Sequence, residues 1–188
     1  MTELSFAFQP GDALLIIDVQ NDFCPGGALP IAGGDQVVPV LNAWIDAASQ
    51  VGTPVYLSRD WHPKHHPSFT EEGGPWPVHC LQDTAGAAFH PRLHKPPEAV
   101  IITKGTRFDQ GQNSAFDQTG LAVHLRKAGI RRLIIGGLAE DVCVLATVLD
   151  ALAEGFAVSV IAAGTRPVTP TGGAAARQKM TAAGAVLL

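Results

Sequence analysis

Short, unbroken apolar runs recur along this 188-residue chain, and a reactive side chain follows several of them. Ala13-Leu14-Leu15-Ile16-Ile17 ends at Asp18, and Pro54-Val55-Tyr56-Leu57-Ser58 is followed by Asp60 and His62. Ala99-Val100-Ile101-Ile102-Thr103 ends at Lys104, and Leu133-Ile134-Ile135-Gly136-Gly137 leads to Cys143. Two further runs, Val158-Ser159-Val160-Ile161 and Val186-Leu187-Leu188, close the series. Continuous rather than alternating apolar positions fit strands covered on both faces, as parallel sheets are.

Helical spacing fills the gaps. Over residues 36–50, Val37, Val38, Leu41, Trp44, Ile45 and Ala48 share a face, with Asp35 as the expected N-cap and Pro39 early enough to be tolerated. Over 141–154 the stripe is Val144, Leu145, Val148, Leu149 and Leu152; a shorter helix is expected over 118–128 and a weaker one over 172–183. Gly52, Gly129, Gly155 and Gly184 each separate a helix-like segment from the apolar run that follows, as glycine does just past a helix end. Strand and helix alternating with short joins predict a three-layer α/β/α sandwich. Asp18, the Asp60/His62 pair, Lys104 and Cys143 then gather on the carboxyl-end rim of the sheet, where open α/β sheets bind ligands.

Two irregular stretches, 61–98 and 104–116, carry Pro, Gly, His and Trp instead of a periodic pattern and are expected to overhang that rim. With 46% apolar and 16% charged residues, one compact domain over residues 1–188 is expected. The net charge of −4, with no basic run, gives no reason to expect nucleic acid. No apolar stretch is long enough for a membrane span, and Met1-Thr2-Glu3-Leu4-Ser5 lacks a secretory pattern, so a cytoplasmic protein is expected. The three cysteines, Cys24, Cys80 and Cys143, are expected as free thiols.

Six of the seven histidines lie between His62 and His94. Asp60-Trp61-His62 puts a carboxylate and an imidazole on one side of an extended segment, and His66 and His79 could complete a site for zinc, iron or manganese. A solvated histidine-rich loop fits the same spacing. For Trp76, loop packing competes with a role as an aromatic plate against a flat ligand.

Cys143 falls in the first turn of the helix expected from Asp141, where the macrodipole and a nearby Lys104 would favour thiolate. Asp18 could take the thiol proton and return it to a leaving group, and the turn after Gly136-Gly137 could aim N–H groups at an oxyanion. A buried structural cysteine, a salt-bridged lysine and a capping aspartate are the plain alternatives.

Taken in order, Asp18-Val19-Gln20-Asn21-Asp22-Phe23-Cys24, Asp60-Trp61-His62-Pro63, Trp76-Pro77-Val78-His79-Cys80, Lys104-Gly105 and Gly137-Leu138-Ala139-Glu140-Asp141-Val142-Cys143-Val144 resemble the nicotinamidase/pyrazinamidase branch of the isochorismatase-like cysteine hydrolases. The resemblance implies a six-stranded, mostly parallel sheet and hydrolysis of nicotinamide, and of pyrazinamide, through a cysteine thioester, a step of NAD salvage. Asp18, Lys104 and Cys143 match the catalytic trio; Asp60, His62 and His79 match the ligands of one divalent metal ion, zinc before iron or manganese. His66 matches a position that ligates in some members only. Phe23 and Trp76 match aromatics that hold the pyridine ring, and the amides of Ala139 and Cys143 match an oxyanion hole beside a cis peptide at Leu138-Ala139. The implied partner is a small nicotinamide-like molecule, with a homo-oligomer left open. Glu140 stands where threonine is common, adding a carboxylate near the nucleophile. Val142 replaces a residue often aromatic or histidine, and the loop 106–112 has no close family counterpart.

A ureido- or carbamoyl-directed relative is a rival reading, although such relatives generally lack the metal ligands and the Trp76–His79 segment. A catalytically silent metal-binding scaffold and a metallohydrolase with a bound-water nucleophile are the others.

Overall fold

The fold follows from where the apolar runs can be covered. In the computed structural model, which describes residues 6–188, the runs become β1 (Asp12–Ile17), β2 (Val55–Asp60), β3 (Val100–Lys104), β4 (Arg132–Leu138), β5 (Ala157–Arg166) and β6 (Val186–Leu187). All pair in parallel, in the order β3-β2-β1-β4-β5-β6. Four α-helices accompany them: α1 (Val37–Gln50), α2 (Leu121–Lys127), α3 (Leu145–Ala153) and α4 (Pro170–Ala182). The expected six-stranded α/β/α arrangement is what the chain adopts.

Alternate residues of the central strands explain the layering. Leu15 and Ile17 of β1, with Leu133 and Ile135 of β4, pack with Leu125, Val148, Ala176 and Met180 from α2, α3 and α4. Leu14, Ile16 and Ile134 face the other way, against Val38, Leu41 and Ile45 of α1. Among the described residues that second face has only one α-helix, and Cys80, Ala87 and Leu93 of the 61–98 stretch join its core. The long irregular segment is therefore part of the second layer as well as a rim structure. Phe69 and Leu93 of that segment are buried, so shortening either costs about as much as in a regular core.

The strand order reverses between β1 and β4. Such a switch point leaves a crevice beyond the strand ends. Asp18 leaves β1 there, and residues 139–143 leave β4 on its other side.

The helix-to-strand junctions are as expected: Gly52, Gly129, Gly155 and Gly184 all have positive φ. Three local expectations are corrected. Asp35 is no N-cap: Gly34–Gln36 form a 3-10 turn running straight into α1, and no side chain caps it. Backbone bonds within that turn replace the cap. The helix expected over 118–128 starts only at Leu121, because Gln118 and Gly120 are left-handed. The helix expected from Asp141 opens instead as a π turn over Glu140–Val144, with α3 beginning at Leu145. The wider turn rotates the buried face onto Val144, Thr147, Val148 and Ala151, leaving Leu145, Leu149 and Leu152 half-buried. Among the described residues no helix is long and apolar enough to cross a membrane.

Candidate active site

Parallel register places the charged groups side by side. Asp60 and Lys104 end β2 and β3 as direct partners, and Asp18 follows β1 in a left-handed conformation, φ 48°. The Lys104 ammonium, fully buried, lies 2.8 Å from Asp18 Oδ2 and 2.6 Å from Asp60 Oδ1. It also donates to Cys143 Sγ at 3.5 Å and, more weakly, to the Gln112 carbonyl at 3.4 Å. Ser58 Oγ donates to Asp18 Oδ1 at 2.7 Å. One cation thus serves two carboxylates and a thiol, with Lys104 and Asp18 fully buried.

Three acidic groups around one ammonium cannot all ionise at ordinary pH. Burial raises the Asp18 carboxyl above its usual range despite Lys104, and Asp60 adds to the rise. Burial pushes up Asp60 too, but Lys104 and His62 outweigh it and hold that carboxyl far below the usual range. Burial also pushes the Cys143 thiol well up, against the pull of Lys104. The Lys104 ammonium expected to favour the thiolate is in place, and burial opposes it. Cys143 sits in the π turn ahead of α3, where burial works against the thiolate and Lys104 favours it.

Asp60 joins this group to a second one. Ligand atoms of Asp60, His62 and His79 lie within 4.8 Å of one another, and all three residues are buried. His62 Nδ1 is 2.8 Å from the Gly105 carbonyl, His79 Nδ1 2.7 Å from the Pro77 carbonyl, and His66 Nδ1 2.7 Å from Ser68 Oγ. Anchoring one ring nitrogen leaves the other free to ligate, the usual outer-shell arrangement of metal-bound histidine. His66 Nε2 is buried without a partner, and the His66 ring stacks on His62 at 4.1 Å. Burial holds His66 down to about 4 and lowers His79 as well, which favours the neutral imidazole in both. A carboxylate, neutral imidazoles and an orphaned nitrogen fit a divalent metal ion. Gly105 is required at its position: φ is +69°, and a Cβ would collide with the His62 ring. Asp18, Asp60 and Cys143 form another close trio of ligand atoms, but the Lys104 ammonium is already its cation.

Both groups border one pocket of about 570 Å³, counted to its open mouth. Phe23, Trp76, Ala139, Cys143, His66 and the Asp60/His62/His79 cluster line it, while Asp18 and Lys104 lie fully buried behind it. Phe23 stands 5.6 Å from the His79 ring, and the Leu138-Ala139 peptide is cis. Val142 also faces the pocket, as do Gly111, Gln112 and Asn113 of the unmatched loop. Glu140 does not. Its buried carboxylate turns away to Arg177 Nε at 2.7 Å and Thr165 Oγ1 at 3.0 Å, tying the π turn to α4 and β5. The carboxylate expected beside the nucleophile is an ion pair with α4.

Several residues lacked a role on sequence alone. Ser58 holds Asp18, and Gln112 closes its own loop by accepting from the Thr106 N–H at 3.2 Å. Asp22 accepts from the Cys80 N–H at 2.7 Å and so fixes the segment bearing His79. Gln20 bonds the backbone of Asp60. Asp22 and Gln20 stand in the motif opened by Asp18, but no periodic or ligand-spacing signal marks their partners 40 or more residues away.

This fold and pocket define an α/β/α sandwich protein with a candidate site at the sheet's switch point. Residues 12–188 match the isochorismatase domain family. The chain is 41% identical to a nicotinamidase of Escherichia coli, over 95% of this chain and 94% of the relative. A crystal structure of the pyrazinamidase of Pyrococcus horikoshii in complex with zinc superposes with a TM-score of 0.92 at 42% identity, covering 95% of this chain and 99% of that one. PnC1 from L. infantum in complex with nicotinate gives 0.89 at 38% identity, over 94% and 91%. The chain belongs to the isochorismatase family.

Proposed function

We propose that this chain is a single-domain, metal-dependent amidohydrolase that converts nicotinamide to nicotinate and ammonia, accepting pyrazinamide as well. The observation that carries this reading is the Lys104 ammonium, which touches Asp60 on one side and Asp18 and Cys143 on the other. A thiol and a candidate metal pocket so joined lie within reach of one small flat molecule. The relatives' nicotinamidase and pyrazinamidase activities support the same substrate class.

Asp60, His62 and His79, with His66 beside them, would hold the ion, zinc before iron or manganese. Once bound, that ion supplies a Lewis-acid anchor for a pyridine or pyrazine nitrogen. Phe23 and Trp76 confine the ring. Asp18 takes the Cys143 proton, and the sulfur attacks the carboxamide carbon. Ala139 and Cys143 amides receive the developing oxyanion. The carbon–nitrogen bond breaks as Asp18 returns the proton to departing ammonia, leaving a thioester. Water, deprotonated by Asp18, then releases the carboxylic acid, and the proton restores the thiol. Lys104 stays charged throughout, because Asp18 and Asp60 raise it further despite its burial. The setting that fits this reaction is the cytoplasm.

Ammonia release from nicotinamide, pyrazinamide and a ureido compound tests the reading on zinc-reconstituted protein. Turnover of the two aromatic amides, abolished by chelation and restored by zinc, is expected. Turnover of the ureido compound alone would sink it.

A further inference from the structure

The hydrogen bonds of the Gln20 side chain go mainly to one residue of the site. The β1–β2 ladder runs to Ile16 opposite Leu57, and Asp18 N–H still reaches the Ser58 carbonyl at 3.2 Å. Beyond that the β1 backbone turns away, while β2 continues to Asp60. Gln20 fills the gap with its side chain. Its Oε1 accepts from the Asp60 N–H at 2.8 Å, and its Nε2 donates to the Asp60 carbonyl at 2.7 Å. The second Nε2 hydrogen goes to the Ala87 carbonyl at 2.8 Å, and Gln20 is fully buried. A primary amide that accepts and donates to the same residue reproduces a backbone rung. On its other side Asp60 is held by the register with Lys104.

We infer that Gln20 is a positioning residue: it completes the sheet at Asp60 and so sets how that carboxylate is divided between Lys104 and the His62/His79 cluster. The division needs accuracy. Oδ1 lies 2.6 Å from the ammonium, while Oδ2 faces His62 Nε2 at 3.6 Å, a separation suited to an ion between them. Without the amide, one N–H and two carbonyls are buried unpaired, and Asp60 can rotate toward Lys104 and away from the histidines. The inference rests on the proposed role of Asp60 as a metal ligand. It goes beyond that role by assigning the residue that aims the ligand.

The test is zinc affinity, measured by competition with a chromogenic chelator and without substrate, on Gln20→Met and Gln20→Glu. Methionine keeps the volume and removes all three bonds; glutamate keeps the acceptor for the Asp60 N–H and loses the amide donors. Both variants are expected to bind zinc about 10- to 100-fold more weakly than the parent, with kcat for nicotinamide reduced even at saturating zinc. A purely structural role would lower the unfolding midpoint and leave the zinc affinity of the folded protein alone. Folded Gln20→Met with parental zinc affinity overturns the inference. Should that variant not fold, Gln20→Glu carries the same comparison, and failure of both to fold assigns Gln20 to the core and overturns it too. A parent that binds zinc yet leaves nicotinamide intact sinks the proposed function alone, since the affinity ratio does not depend on turnover.

Discussion

Strand β1 begins and ends beside an aspartate, and the two carboxylates sit in opposite electrostatic settings. Asp12, at the amino-end rim, has one guanidinium to itself: Arg132 donates at 2.8 and 2.6 Å, and the Gln9 N–H adds a third bond at 2.7 Å. Burial works against its charge, but these partners outweigh it and hold the carboxyl below its usual range. Asp18, six residues on, shares its one cation with Asp60 and a thiol, and burial wins. A matched pair stays ionised and contributes to stability. An oversubscribed cation leaves a carboxyl ready to carry a proton, which suits general acid–base work.

Substitutions at the two rims sharpen this contrast. Cys143→Ala is expected to have the largest effect on turnover, a loss above ~10³-fold in ammonia release, with no fall in the thermal midpoint, because a buried thiol leaves a crowded acidic cluster. Parental turnover in that protein would break the reading of the carboxyl-end rim. Asp18→Asn should lower kcat by about 10²–10⁴-fold with little change in a urea melt, since the amide keeps the volume and Lys104 keeps Asp60. Lys104→Met should abolish activity and also cost about 3–5 kcal/mol in the same melt, as Asp18 and Asp60 lose their shared cation. Equal stability of Lys104→Met and the parent would show that the carboxylates do not depend on it.

At the opposite rim, Asp12→Asn should leave kcat/KM unchanged and cost about 1 kcal/mol, a small value because Arg132 is partly exposed. The pH sign is fixed by the direction of the Asp12 shift. A carboxyl depressed in the folded state stabilises fully above its unfolded pKa of about 3.9 and loses that contribution as pH falls through the folded value. The parent's acid unfolding limb should therefore be steeper than that of Asp12→Asn. Coincident limbs would deny Asp12 the role of a matched pair.

Local pattern made much of the architecture legible. The runs at residues 13–17, 54–58, 99–103 and 133–137 announce buried strands because parallel sheet covers both faces. The glycine at each helix exit announces the next strand, because only a few residues tolerate that backbone. The family motifs also name the groups that meet at the rim. Spacing alone left metal binding by the histidine loop undecided, because Asp-x-His does not show what folds over it.

What the amino-acid order determined by itself is therefore the set of elements and the residues delivered to one rim. Those depend on interactions over a few residues. Tertiary structure alone decided that Cys143 opens on a π turn, that Glu140 turns to Arg177, and that Gln20 stands in for a missing strand rung at Asp60. It also decided that Cys143 is buried beside Lys104, so that desolvation and the ammonium pull its thiol in opposite directions. The reason is physical: a buried group's charge and direction are set by neighbours far away in the chain, and by the water that packing excludes.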